Sequence, residues 1–107
     1  MLTSEQKNQI EQNIITVLKN VYDPEIPVNI YDLGLIYEIR IDDIGFVNLK
    51  MTLTAPNCPV AESLPIEVKE KTTDVKGVSD VNVEVVFDPP WSRDMISEYG
   101  LLELGLL

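Results

Sequence analysis

The chain has 107 residues, of which 45% are hydrophobic and 24% are charged, and this composition is typical of one small globular domain. Its 18 acidic and 8 basic residues give a net charge of −10, which repels the phosphates of nucleic acids and the anionic surfaces of membranes. The sequence has one cysteine, Cys58, and no histidine. An internal disulfide, a Cys/His zinc site and a histidine-dependent catalytic triad are therefore excluded. We expect residues 1–107 to form a single domain.

The N-terminal sequence and the cysteine content predict a cytoplasmic protein. Residues 1–7 lack the basic segment and apolar run of a signal peptide. No apolar stretch approaches the ~18 residues that a membrane span requires. A single unpaired cysteine also suits a reducing compartment.

The first predicted element is an amphipathic helix over residues 4–21. Apolar residues recur at helical spacing along it: Ile10, Ile14, Val17, Leu18 and Val21. Thr3 and Gln6 have the spacing of a capping box, so Thr3 is the expected N-cap. We expect the helix to end at Asp23, because a residue before proline avoids helical geometry.

Two strands follow the loop over residues 23–34. The first alternates polar residues with Tyr37, Ile39 and Ile41, and the second alternates them with Val47, Leu49, Met51 and Leu53. Such alternation predicts strands with one buried face. The segment Asp42–Gly45 between them has turn chemistry, so the pair is predicted to be an antiparallel hairpin.

The remaining elements are a helix, a strand and a short C-terminal helix. The helix is predicted over residues 60–73 from the spacing of Val60, Leu64 and Val68, with Pro65 compatible only with its first turns. The third strand alternates Val81, Val83, Val85 and Phe87. A last helix is predicted from Ser97, with Gly105 as its stop.

The order α-β-β-α-β-α predicts an α+β fold. We expect a small sandwich in which a three-stranded sheet has helices packed on one face. The sequence shows no internal repeat and no linker, so the whole pattern belongs to one unit.

Cys58 is the first candidate for chemistry. It lies where a strand-like run changes to a helix-like run, and the free N–H groups and dipole at a helix start favour a thiolate over a thiol. A thiolate is a soft ligand that suits iron. The alternative interpretation is that Cys58 is a small buried hydrophobic residue, as free cysteines often are.

The loop over residues 23–34 is the second candidate. Its acidic residues Asp23, Glu25 and Asp32 form a carboxylate-only metal site in one interpretation. In the other interpretation they are turn formers and solvated charges, which is the more common role of acidic residues in a loop that contains proline.

Three segments together resemble a known family. They read DPE…V…DLGLIY in residues 23–37, T-x-T-x-x-x-C-P in Thr52–Pro59 and DPPW in Asp88–Trp91, in that order along the chain. The chain resembles the SufT/PaaD-like family of iron–sulfur cluster assembly factors from about Ile10 to Leu106. It is most similar to the short, stand-alone bacterial SufT type.

The resemblance implies a role in loading iron–sulfur clusters onto apoproteins, without ordinary catalytic turnover. It maps the family's cysteine to Cys58, its acidic loop to Asp23, Glu25 and Asp32, and its tryptophan segment to Asp88, Pro89, Pro90 and Trp91. Thr52 and Thr54, in the cysteine segment, complete the set of candidate site residues. The implied partners are the iron–sulfur assembly machinery and client apoproteins. No tightly bound cofactor is expected; iron or a cluster would be held only transiently.

The resemblance departs from the family pattern near the C-terminus. Members often have a Ser-Glu-Glu-Ala run after the tryptophan segment, and here the residues are Ser97, Glu98, Tyr99 and Gly100. Glycine costs about 1 kcal/mol relative to alanine inside a helix. The last helix is therefore expected to be the weakest element.

The number of thiolates restricts how a cluster is held. Clusters usually take four thiolates and this chain offers one, so a monomer is not a conventional carrier. A symmetric homodimer would bring two Cys58 thiols together if they lie near its axis.

Two other functions compete with the assembly role. In the first, the protein is an interaction adaptor and Cys58 is structural. In the second, it is a thiol-dependent enzyme, which the absence of a nearby base disfavours. Trp91 either covers the sheet edge as part of the core or anchors a partner, and the leucine-rich C-terminus either packs on its own fold or forms a docking patch.

Overall fold

A mixed sheet forms the centre of the molecule. The computed structural model describes residues 1–23, 26–54 and 63–106. Within these ranges the sheet has three strands in the order β1 (Ile36–Ile41), β2 (Phe46–Met51) and β3 (Asp80–Val85). β1 and β2 are antiparallel, which confirms the predicted hairpin, and β2 and β3 are parallel. A parallel pair needs a crossover connection, and helix α2 (Ser63–Thr73) lies in it.

One face of the sheet is covered by helices. Along β2 the core side chains Val47, Leu49 and Met51 are buried, whereas Asn48 and Lys50 are exposed. Helix α1 (Ser4–Leu18) and helix α2 contact each other and cover the buried face with the apolar residues Ile10, Ile14, Leu18, Leu64 and Val68. The predicted α+β fold is thus confirmed.

Helix α1 starts as predicted and ends earlier. The Thr3 hydroxyl accepts a hydrogen bond from the Gln6 N–H at 3.1 Å, and the Gln6 side chain accepts one from the Thr3 N–H at 2.9 Å, so the capping box is confirmed. The prediction that the helix reaches residue 21 is wrong, because it ends at Leu18. Val21 is buried beyond the helix, and its carbonyl accepts a hydrogen bond from the Ile30 N–H at 2.8 Å. This pairing with the following loop replaces the next helical turn.

The strands β2 and β3 are shorter than the alternation predicts. Leu53 is buried but lies two residues past the end of β2, and Phe87 lies past the end of β3 with 47% of its surface exposed. β2 ends at Met51, which pairs with Ile36 at the start of β1 and with Val85 at the end of β3; the Thr52 N–H still donates to the Leu35 carbonyl at 2.8 Å, one step beyond the last pair of strand residues. Within the described residues β3 pairs with β2, so its last pair, Val85 with Met51, lies at the same end of the sheet.

Strand β1 also departs from simple alternation. Its register with β2 shifts between Ile36 and Glu38, which leaves Tyr37 without a paired residue on β2. Tyr37 had been expected to continue the apolar face formed by Ile39 and Ile41. Its hydroxyl instead donates to the Pro89 carbonyl at 2.7 Å, so the bulge directs this side chain toward the segment that follows β3.

Helix α2 accommodates its proline near its start. Its described range is Ser63–Thr73, so Pro65 lies in the first turn of the described helix, where a missing N–H is tolerated. Leu64 and Val68 are buried as predicted, and Val60 lies outside the described residues. None of the helices in the described ranges is long and apolar enough to cross a membrane.

The short helix α3 (Glu98–Glu103) forms at the predicted place. The Ser97 hydroxyl caps it by accepting from the Gly100 N–H at 3.1 Å. At its end Gly105 has φ +74°, and the N–H groups of Gly105 and Leu106 donate to the carbonyls of Leu102 and Leu101. This is a Schellman motif, in which a left-handed residue ends the helix and pairs its last carbonyls.

Gly100 is required by packing and not by helix propensity. A Cβ at this position would lie 2.7 Å from Ile96 Cγ2, 3.2 Å from the Asp32 carbonyl oxygen and 3.3 Å from Val28 Cγ1. The departure from the family pattern at Gly100 therefore allows α3 to approach the loop that contains Asp32.

We predict that Gly100→Ala destabilises the protein by about 1–3 kcal/mol, because the added methyl group overpacks the contact with Ile96. In an exposed helix the same change would stabilise by about 1 kcal/mol. Urea unfolding measures the difference. Leu102→Ala on the same helix is the control: its side chain is 62% exposed, and the expected change is within about 0.5 kcal/mol. A Gly100→Ala variant as stable as the wild type would contradict the packing argument.

Candidate functional site

The segment 29–35, which we call the DLG loop, is folded around the Asp32 carboxylate. The Asn29 amide nitrogen donates to Asp32 Oδ2 at 2.8 Å, and the Asp32 N–H donates back to Asn29 Oδ1 at 2.9 Å. Both residues are buried. A three-residue Asn–Asp spacing suits this arrangement because Asn side chains readily bond to nearby backbone groups.

The C-terminal segment holds the DLG loop through Ser97. The Ser97 hydroxyl donates to Asp32 Oδ1 at 2.7 Å, and the Ser97 N–H donates to the Asp32 carbonyl at 2.8 Å. Because the same hydroxyl accepts from the Gly100 N–H, one serine both caps α3 and bonds the buried carboxylate. The Asp32 carboxylate is thus bonded by neutral donors, an amide and a hydroxyl.

Trp91 makes a second contact with the same loop. Its indole N–H donates to the Leu33 carbonyl at 2.6 Å, and the ring is half-buried against the core. Next to it, Gly34 has φ +83°, and a Cβ there would lie 2.5 Å from the Met95 carbonyl oxygen. Gly34 is therefore needed both for its backbone conformation and for the close approach of the C-terminal segment.

The structure brings two of the three resemblance segments together. Trp91 contacts Leu33, and the Pro89 carbonyl accepts from Tyr37, which ends the DLGLIY run. Asp88 is exposed beside them. Asp23, at the start of the first segment, is buried, and its Oδ1 accepts from the Ile26 N–H at 3.2 Å. Glu25 lies outside the described residues.

The cysteine segment is described only up to Thr54. Thr52 is fully buried and its backbone bonds Leu35, so this segment starts directly beside the DLG loop. The Thr52 hydroxyl has no hydrogen-bond partner among the residues that the structure describes. Thr54 is half-buried. Cys58 lies outside the described ranges, so its place in the site stays a prediction.

The surface over Asp32 is an open, partly aromatic pocket. It has a volume of about 240 Å³ and is lined by Lys19, Tyr22, Asn29, Asp32 and Tyr99. The two tyrosines are each 55% exposed. The Glu103 carboxylate raises the pKa of Tyr99, with burial adding to the effect. Lys19 Nζ lies 5.5 Å from the centre of the Tyr31 ring, a cation–π contact.

The carboxylates do not form a metal centre in the part of the chain that the structure describes. No three Cys, Asp or Glu side chains lie together there in a way that would hold a metal ion. Asp32 is bonded to Asn29 and Ser97, and Asp23 bonds the Ile26 amide. With Glu25 outside the described ranges, Asp23 and Asp32 serve as acceptors that shape the loop.

Sequence reasoning missed several residues that build this site. Asn29, Gly34 and Tyr37 stood within the resemblance segment, but their contacts were not foreseen. Ser97 was expected only as the start of a helix. Asn29, three residues before Asp32, was a local sequence signal for the loop. The contacts of Tyr37 and Ser97 join residues more than 50 positions apart, so no local sequence signal predicted them.

Comparison with known proteins identifies relatives that span nearly the whole chain. A family model described as iron-sulfur cluster assembly protein matches residues 11–85. A Porphyromonas gingivalis protein named Fe-S protein maturation auxiliary factor is 52% identical over 99 residues, which are 92% of this chain and 94% of the relative. The Fe-S protein maturation auxiliary factor SufT of Staphylococcus aureus is 37% identical over 86 residues, or 80% of this chain and 98% of the relative.

A solved structure has the same fold. The crystal structure of a domain of unknown function, DUF59, from Bacillus anthracis matches with a TM-score of 0.85 and 33% sequence identity. The match covers 94% of this chain and 95% of that one. The arrangement of helices and sheet described above is therefore shared with that domain.

We predict that Ser97→Ala destabilises the protein by about 2 kcal/mol, because it removes a helix cap and one donor to a buried carboxylate. Ser97→Thr keeps the hydroxyl and should recover most of the loss. Ser92→Ala is a matched control, since Ser92 precedes the 3-10 turn Arg93–Met95 without a side-chain capping bond. The change in stability of each of the three variants is measured from its urea unfolding midpoint, provided that the dependence of the unfolding free energy on urea is unchanged. Equal effects of Ser97→Ala and Ser92→Ala would contradict the role assigned to the Ser97 hydroxyl.

Proposed function

Because the chain belongs to the family of iron–sulfur cluster assembly proteins, we propose that it is an accessory factor that helps load clusters onto client apoproteins. The observation that carries this proposal is the family match over residues 11–85. Relatives named as maturation auxiliary factors align with 80–92% of the chain, which supports the same role.

We propose Cys58 as the thiolate that takes part in cluster transfer, with the DLG loop and the Asp88–Trp91 segment beside it. Support comes from the described geometry: two of the three segments that carry the resemblance contact each other through Trp91, Leu33 and Tyr37. Thr52, six residues before the cysteine, is bonded to the DLG loop. Asp23, Glu25, Asp32 and Thr54 complete the proposed set.

In this proposal the cluster is a substrate that passes through the site. One thiolate per chain supplies a quarter of the ligands that a cluster usually takes, so the other ligands come from the assembly machinery, the client or a second copy of the chain. A chain without histidine also lacks the side chain that most often acts as a base near pH 7. We therefore propose that the protein acts by binding proteins, as a single domain over residues 1–107, without turnover of a small molecule.

The test is the activity of several iron–sulfur enzymes in cells that carry Cys58→Ser in place of the wild type. We predict that activity falls to the level of cells without the protein, most strongly at low iron or high oxygen. A hydroxyl has little affinity for a soft metal although its volume is similar to that of a thiol. Enzyme abundance is held equal, and Ser92→Ala serves as the control that keeps wild-type activity.

Two outcomes separate the proposal from the adaptor alternative. If Cys58→Ser folds normally and supports full enzyme activity, the thiol is not used and the adaptor interpretation is better. If enzyme activities are unchanged even when the whole protein is absent, under both stresses, the assembly role itself is wrong. Anaerobic iron and sulfide analysis of the purified protein, with and without Cys58, reports whether a cluster is held.

A further inference from the structure

An apolar groove lies beside Trp91. We call it the Trp91 groove; its walls are Ile26, Pro27, Trp91, Leu104 and Leu106, and its volume is about 260 Å³. Pockets that enclose whole drug-sized ligands have volumes of roughly 300–1,000 Å³. The volume of the Trp91 groove lies just below this range, which suits one or two side chains of another protein.

The leucine-rich C-terminus forms one wall of this groove and leaves apolar surface exposed. Leu104 is partly buried against the core, whereas 53% of Leu106 and 62% of the neighbouring Leu102 are exposed. Exposed apolar side chains that border a groove are typical of protein-binding surfaces. The Trp91 ring packs on the core, bonds Leu33 and also forms a wall of the groove, and its role as an anchor for a partner stays a prediction.

Arg93 gives the groove its charge. It lines the same groove and is exposed. Across the described ranges the ion pairs are Lys7 with Asp43 and Lys50 with Glu38, so the guanidinium of Arg93 is not used in an internal ion pair there. A guanidinium beside an apolar wall favours a carboxylate that is desolvated at the same time as an apolar side chain.

We propose that the Trp91 groove binds a segment of a client apoprotein in which a large apolar side chain stands next to an aspartate or glutamate. The local charge contrasts with that of the whole molecule, because a chain of net charge −10 attracts basic segments over its surface in general. We attribute a preference for an acidic segment in this groove to Arg93, the basic residue among the described residues that line it. This inference rests on the proposed function, because it specifies where a client docks beside the transfer site.

The test uses three blocked peptides that differ only in charge. Each has two central leucines, flanked on both sides by glutamate, by lysine or by glutamine, and contains no tryptophan. Trp91 is the chain's single tryptophan, so its fluorescence reports occupation of the groove directly. We expect the glutamate peptide to bind roughly tenfold more tightly than the lysine peptide, because a charge-assisted hydrogen bond to Arg93 changes the dissociation constant by roughly a factor of ten.

Two charge reversals provide a matched pair. Arg93→Glu and Arg40→Glu each replace +1 by −1, so each changes the net charge from −10 to −12. Arg40 is exposed on β1, opposite Asn48 on β2. Arg93→Glu should reverse the preference in favour of the lysine peptide, and Arg40→Glu should retain it. Leu106→Ala should weaken all three peptides by a similar factor.

Several results would overturn the inference. A wild-type preference for the lysine peptide, or equal effects of the two arginine variants, would mean that only net charge matters. Absence of any change in Trp91 fluorescence would mean that the groove is not occupied. A dimer in sedimentation that Leu106→Glu dissociates would assign the groove to a second copy of the chain. The peptides are tested on purified protein without a cluster, so this inference and the loading role tested with Cys58→Ser fail independently.

Discussion

The buried Asp32 carboxylate is the interaction on which the candidate site depends. It accepts from Asn29 within its own loop and from Ser97 at the start of α3. A buried carboxylate that loses a donor costs about 1–3 kcal/mol or more, so both donors stabilise the folded loop. The Ser97 bond holds the start of α3 to the DLG loop, and a separate bond from the Trp91 indole N–H to the Leu33 carbonyl holds the Trp91 segment to the same loop.

The fold was predictable where a local pattern decides the outcome. The capping box at Thr3, the hairpin turn before β2 and the stop at Gly105 follow from residues within four positions of each other. The ends of the strands were not predictable in this way. Leu53 and Phe87 continue the alternation in sequence, yet a strand ends where its partner ends, and that depends on residues distant in the chain.

The sequence predicted which residues belong to the candidate site better than it predicted the contacts between them. Motif residues such as Asp32 and Trp91 were named from the sequence, and the structure shows how they are bonded. From helix propensity, Gly100 was expected to destabilise α3. The structure indicates that it stabilises the fold instead, because a Cβ at this position would clash with Ile96 and crowd the Asp32 carbonyl. Cys58 remains a prediction from sequence and resemblance.

The contacts that build the site close very long loops. Tyr37 bonds Pro89 across 52 residues, Trp91 bonds Leu33 across 58 and Ser97 bonds Asp32 across 65. Loop closure on this scale has an entropic cost that local helices and hairpins avoid. During synthesis from the N-terminus, α1 and the hairpin emerge before the residues that complete the site. A nascent chain therefore has two of the three strands of its sheet before it has the residues whose contacts complete the candidate site.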